Sequence, residues 1–407
     1  MAVYLLGTLD TKGAEVAFVR DRLHELAVEV VVVDCGCLGT PSILADVPRA
    51  DVFRAAGVEL LDCVVRGDRG EAVTWAARGA ERIVQDAYAQ GVLEGVFGLG
   101  GSAGSSISSA AMRSLPIGVP KVLVSTMASG QVRPYVGDKD ILLLNSIVDI
   151  AGINRVSRRI FAEAAAAMAG MVRFHSSGSD DDRPLIAASM FGVTTPCVQR
   201  AREVLEAAGY EVLVFHATGS GGQAMESLIR DGLVSGVLDV TTTELADELV
   251  GGVLTAGPAR LTAAAAAGVP QVVSVGALDM VNFRERPTVP EAFRSRQFHV
   301  HNPTITLMRT TSAENAQLGE EIARKVGAAR GPASILLPLQ GVSALDCAGQ
   351  PFDDPVARTA LFNAIRGHAP PLDVREYDLH INDPAFAEAC AARLLELIAA
   401  HPPLLAR

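Results

Sequence analysis

The first residues equipped for chemistry follow a short apolar run at the N-terminus: Gly7-Thr8-Leu9-Asp10-Thr11-Lys12-Gly13. A glycine permits a tight turn, and two hydroxyls, a carboxylate and an amine then emerge near a helix N-terminus. That set can hold phosphate, with Thr8 and Thr11 as donors, Lys12 as point charge and Asp10 as a Mg2+ ligand, directly or through water. The competing reading is a plain helix entry capped by Asp10 or Thr11.

A second set lies at Gly98-Leu99-Gly100-Gly101-Ser102-Ala103-Gly104-Ser105-Ser106. Gly100, Gly101 and Gly104 allow the backbone to approach an anion, and Ser102, Ser105 and Ser106 add donors. It contains no Gly-Lys-Ser/Thr and no clean dinucleotide fingerprint. A third set, Ser125-Thr126-Met127-Ala128-Ser129-Gly130, is followed by Asp149, Asn154 and Arg155. Each could line the same pocket or simply solvate a loop.

In the second half, His216-Ala217-Thr218-Gly219-Ser220-Gly221-Gly222 repeats the glycine/serine arrangement. Thr241-Thr242-Thr243-Glu244 comes next, with Asp247 and Glu248 one turn on. Glu244 and Glu248 share a helical face at i,i+4, which suits a metal or acid/base work. A capping box of Thr241 and Glu244 with a solvated acidic face is the alternative. His299-x-His301-Asn302 and His380-x-Asn382-Asp383 are polar sets in apolar stretches. Histidines two apart on a strand share a face, so His301 and His380 are candidate bases beside Glu244, with structural roles competing.

The elements that must position these sets alternate. Val3–Leu6, Glu29–Val33, Gly95–Leu99 and Lys121–Ser125 read as buried strands. Thr11–Ala27, Glu71–Gln90 and Ser105–Leu115 read as the helices between them. Such alternation predicts right-handed crossovers and a parallel sheet. After a helix over Asn154–Arg173, the stretch HSSGSDDDRP at 175–184 reads as a linker. The pattern then restarts, with strands at Leu185–Phe191, Glu211–Phe215 and Gly236–Val240 and a helix at Pro196–Ala208. GVPKVLVS at Gly118 echoes GVPQVVSV at Gly268, each read as the last strand of its half. A strand at Ser334–Leu337 and a closing helix at Phe386–Ala400 are left without an assigned lobe. The fold class is therefore α/β, two Rossmann-like lobes with mostly parallel sheets and a cleft between them, divided as 1–178 and 179–407.

Composition fits that reading. Of 407 residues, 49% are hydrophobic and 20% charged, enough apolar content for two cores. A net charge of -11 argues against a nucleic-acid or acidic-membrane surface, while backbone amides and one lysine can still bind phosphate. The six cysteines form no CxxC pair, so neither a disulfide framework nor a zinc ribbon is indicated, and Cys35 and Cys37 read as ordinary reduced thiols. With no signal peptide or spanning segment, the cytoplasm is the expected compartment.

These motifs resemble a known family. GTLDTKG, the Gly-Gly-Ser-x-Gly stretch, IGVPKVLVSTMASG, DIAGINRVSRRI, MFGVTTPCVQ and HATGSGGQAM are similar to bacterial proteins related to the ATP-binding N-terminal domain of the tomato mosaic virus resistance protein. DVTTTELADELVGG, GALDMVNF, HNPTITLMRTT and DLHINDPAFA extend the resemblance over nearly the whole chain. It implies ATP bound with Mg2+, a homodimer or higher homo-oligomer, and a separate TIM-barrel protein as associate. One departure is Ala103, where the family's loop carries glycine.

Two functions are carried forward. One is an ATP-dependent kinase, ligase or hydrolase acting on a small carboxylic metabolite in the interlobe cleft, with Glu244, His301 or His380 as acid/base. The other is a non-catalytic, nucleotide-dependent partner-binding protein. A dinucleotide oxidoreductase is a weaker third, with Asp34 placed by position to hold a ribose.

Overall fold

A computed structural model of the chain describes residues 1–37, 39–174, 183–368, 370 and 372–401. It divides into two compact units, Met1–Ser179 and Asp180–Arg407. Both are Rossmann-like α/β lobes. Of the linker read at 175–184, residues 175–182 lie outside the described residues.

The first unit runs β1 (Ala2–Gly7), α1 (Leu9–Glu25), β2 (Val30–Asp34), α2 (Arg49–Ala55), α3 (Leu60–Arg66), α4 (Arg69–Ala89), β3 (Leu93–Gly100) and α5 (Ser102–Arg113). It closes with β4 (Lys121–Ser125), α6 (Arg133–Val136), β5 (Leu142–Asn145) and α7 (Arg155–Arg173). The five strands pair in parallel in the order β2-β1-β3-β4-β5. Alternate strand residues serve opposite faces, as the two-residue period requires. Val3, Leu5, Phe97 and Leu99 pack on α1 and α7. Leu6, Val33, Val96 and Leu123 pack on α2, α4 and α5. Local chemistry sets the helix starts: the Asp68 side chain accepts the Gly70 and Glu71 amides, and Asn154 forms a capping box with Ser157.

The second unit runs β6 (Leu185–Met190), α8 (Thr195–Ala207), β7 (Glu211–His216), α9 (Ser220–Arg230), β8 (Gly236–Thr241), α10 (Glu244–Val250), α11 (Ala263–Ala267) and β9 (Gln271–Gly276). There follow β10 (Met280–Phe283), β11 (Phe298–Asn302), β12 (Ile305–Arg309), α12 (Ser312–Gly327), β13 (Ala333–Pro338), α13 (Pro355–Arg366), β14 (Val374–Tyr377) and α14 (Pro384–Ala400). Six strands form a parallel sheet in the order β14-β13-β9-β8-β6-β7, and β10-β12-β11 form a separate antiparallel sheet.

Two sequence expectations need correction. Neither GVP strand ends its half: β5 adds outside β4, and β13 and β14 follow β9. Strand β5 is four residues at a sheet edge with Leu142 exposed, too short for a period to register. Helix α1 starts at Leu9 rather than Thr11, but Lys12 breaks it with non-helical angles (φ -128°, ψ 19°), so its regular run begins beyond the loop. Among the described residues no helix is long and apolar enough to cross a membrane.

Candidate functional site

In the first sheet, β1 lies between β2 and β3, so the chain leaves β1 to one side and later returns on the other. At such a switch point the loops after the two strands diverge and open a crevice at the carboxyl ends of the strands. The loops here are Thr8–Lys12 and Gly100–Gly104. They line one cavity of about 340 Å³, shared with Cys37, Gly39, Arg69 and Asp149. That volume is at the small end of the range for ligand pockets, roughly 300–1,000 Å³.

Thr8, Asp10, Thr11, Lys12, Gly100, Gly101, Ser102 and Gly104 are thus brought together as the sequence suggested. The N-cap residue of α5, Gly101, supplies no side-chain cap, so the first-turn amides of α5 open on this wall. Gly100 makes the close approach possible, because a Cβ there would stand 2.8 Å from Gly104 Cα. Ala103 sits within α5 and is not among the positive-φ residues, so alanine costs this loop nothing.

Thr8 and Thr11 pair their hydroxyls at 2.8 Å. Asp10 Oδ2 accepts the Gly39 amide at 3.0 Å, and Lys12 Nζ donates to the Ile150 carbonyl. Asp10 and Asp149 are the carboxylates on the wall. Among the described residues no group of three or more His, Cys, Asp or Glu could hold a metal alone. Two carboxylates alone would leave most of a cation's shell to water or to ligand oxygens.

The other predicted residues stand off the wall. Ser105 and Ser125 are buried and share a 2.6 Å hydroxyl contact, which ties the start of α5 to the end of β4. Ser106 is exposed and donates to the Ser102 carbonyl. Thr126 donates its amide to the Gly100 carbonyl, and the Met127 amide donates to Ser125 Oγ. These residues shape the turn from behind. Asp34 is buried, and its Oδ1 accepts the Leu9 and Gly36 amides at 3.1 and 2.8 Å. It joins two loops and does not line this cavity. Burial pushes its carboxyl up. Burial, then Asp10 and Asp34, push the Cys37 thiol up to about 11, so it stays protonated at neutral pH.

The second unit resolves its glycine loop differently. Glu244 Oε1 accepts the Gly219 and Gly222 amides at 2.6 and 3.1 Å, and its Oε2 takes the Nε of Arg260 at 2.6 Å. Arg260, also fully buried, grips Asp239 with both terminal nitrogens and reaches Glu226 at 3.3 Å. Burial pushes the Glu244 carboxyl up against the pull of Arg260. Two amides and a guanidinium all donate to its oxygens, so the contacts fit the ionised form. The solvated capping box is thereby corrected: Thr241 instead pairs its hydroxyl with Thr194 at 2.7 Å. Glu248, the proposed partner of Glu244, accepts from the Thr255 hydroxyl.

The histidines do not join this cluster. His301 is exposed on β11, whose pairing shifts register between Val300 and Asn302, while His299 packs edge-on to Phe352. His380 Nδ1 accepts the Asn382 amide, which leaves Nε2 to donate to the Ser343 carbonyl at 2.8 Å. Arg69 and Arg260 escaped sequence reading. Each is one arginine in a charged or loop segment, and the groups it is brought beside lie far along the chain.

Two family models match the chain: the N-terminal domain of the uncharacterised protein family UPF0261 over residues 1–177, and its C-terminal domain over 183–398. A UPF0261 protein of Clostridium tetani is 46% identical over 398 residues, 97% of this chain and 98% of that protein. The ToMV susceptible protein tm-1(GCR26) of Solanum lycopersicum is 42% identical over 97% of this chain, which spans 55% of the tomato protein. The ToMV resistance protein Tm-1(GCR237) of the same plant is 41% identical over the same shares.

Proposed function

The chain belongs to the uncharacterised protein family UPF0261, and we propose that its first unit binds a magnesium nucleotide, with ATP the ligand the motifs suggest. One observation carries the proposal: the uncapped first turn of α5 faces the same cavity as Lys12, Arg69, Asp10 and Asp149. Helix amides and cations favour phosphate oxygens, and the carboxylates suit the accompanying Mg2+. The cytoplasm, where both are abundant, is the compartment this reading assumes.

Binding is the activity proposed, with nucleotide-dependent capture of a partner as its consequence. The specific reason to prefer it over catalysis is that Glu244 and His380 already have internal partners. Titration calorimetry with Mg-ATP should give saturable binding that Lys12→Ala weakens and NAD does not displace. Absence of heat and of any thermal shift with Mg-ATP, ADP or inorganic triphosphate would remove the proposal. Steady phosphate release stimulated by a carboxylic metabolite would replace it with the enzyme reading.

A further inference from the structure

Glu15 is a buried acid on α1. Its Oε1 accepts the Gly152 amide at 2.6 Å, across 137 residues of chain. One turn earlier on the same helix, Lys12 donates to the Ile150 carbonyl. Helix α1 therefore grips the Asp149–Gly152 turn twice, by an amine on a carbonyl and by a carboxylate on an amide.

The gripped turn is part of the cavity, since Asp149 lines it together with Lys12. Just upstream of it the backbone is strained at one residue. Gly152 has φ +81°, and a little upstream the exposed Ile147 has φ +63°. A β-branched residue in that region is an outlier, and such a conformation persists only when its surroundings over-determine it. The Ser146 amide on the Ser125 carbonyl and the Ile147 amide on Asn145 Oδ1 hold that residue from one side, and the two contacts from α1 fix the turn that follows it.

We infer that Glu15 is a positioning residue of the cavity: through the Gly152 amide it holds the Asp149 turn in place while Lys12 trades the Ile150 carbonyl for an incoming anion. This rests on the reading of the cavity as an anion site. Lys12 is the exchangeable half of the grip, because its ammonium can serve a stronger acceptor on the same wall. Glu15 is the fixed half, since its carboxylate has nothing to gain from an anion. Once Lys12 leaves, Glu15 keeps Asp149 on the wall and the strained segment at Ile147 gains freedom.

Inorganic triphosphate with Mg2+ is the probe. Glu15→Ala should bind it about tenfold more weakly than the natural chain. Glu15→Gln, which keeps an acceptor for the Gly152 amide, should bind as the natural chain does. In a double-mutant cycle with Lys12→Met the two losses should add, because Lys12 meets the anion itself while Glu15 acts through the Asp149 turn. Hydrogen exchange of residues 146–152 in the natural chain should quicken on saturation with triphosphate. Unchanged affinity in Glu15→Ala, or a Glu15→Ala loss that disappears in the Lys12→Met background, overturns the inference. Should Glu15→Ala not fold, the exchange measurement decides, and no change in residues 146–152 overturns it. A natural chain that binds neither triphosphate nor Mg-ATP removes the anion reading itself and this inference with it, an outcome visible before any variant is made.

Discussion

Glu244 Oε1 accepts the Gly219 amide at 2.6 Å, so the glycine loop of the second unit is closed by a carboxylate from the chain itself. In the first unit the comparable loop ends at Gly101, which supplies no side-chain cap to α5. At these loops the two lobes thus differ by an acidic side chain and the arginine that holds it.

Replacing that side chain should be costly. Glu244→Ala leaves the Gly219 and Gly222 amides without acceptors and strips Arg260 of one of three carboxylates. An expected loss of about 2–4 kcal/mol follows from breaking a buried charge network. Urea unfolding followed by hydrogen exchange in α9 and α10 would report it, and a loss under about 1 kcal/mol would contradict the network.

Lys12→Ala should reduce Mg-nucleotide affinity by tenfold or more, equivalent to at least about 1.4 kcal/mol. The Ile150 carbonyl loses its donor in the same variant, so the unfolding temperature should be recorded beside the calorimetric titration. Unaltered affinity would place the anion elsewhere.

Gly100→Ala tests the approach of backbone to backbone. The new Cβ would meet Gly104 Cα at 2.8 Å, which α5 can relieve only by moving its first turn outward. Overpacking of this kind costs about 1–3 kcal/mol. Circular dichroism should show a folded chain of lower unfolding temperature, and triphosphate binding should vanish. A variant that binds normally would separate the α5 amides from the ligand.

Asp247 sets a pH dependence. Burial, only partly opposed by Asn282 and the Leu254 amide, pushes its carboxyl up from 3.8 to about 7. The folded chain then holds this proton more tightly than the unfolded chain between those values. Stability from this group is therefore fully present below about pH 4 and declines as pH rises through about 7, by up to about 4 kcal/mol. Asp247→Asn should flatten that slope in denaturant titrations run at several pH values. An unchanged slope would show that the proton is held elsewhere.

Much of the first site was legible in the sequence because glycine, threonine and lysine punctuate the ends of β1 and β3, and those signals are local. Arg69 was not, since as the first residue of α4 it looks like any surface charge. Ser105 and Ser125 carried the right chemistry but the wrong address: both are turned inward onto each other. Glu244 was misread for a related reason. A threonine three residues before a glutamate signals a cap, whereas the true partner, Arg260, lies sixteen residues on. Of the β10-β12-β11 sheet only the strand under His299 and His301 was read, because β10 and β12 are runs of four and five residues, too short for a period to register.

The closure of the second glycine loop also constrains how this chain can drift over generations. Losing Glu244 alone strands part of a buried guanidinium, and losing Arg260 alone leaves three buried carboxylates facing one another. Positions 244 and 260 should therefore covary among descendants. A lineage could reopen that loop to outside anions only by passing through an unstable intermediate or by changing both positions together.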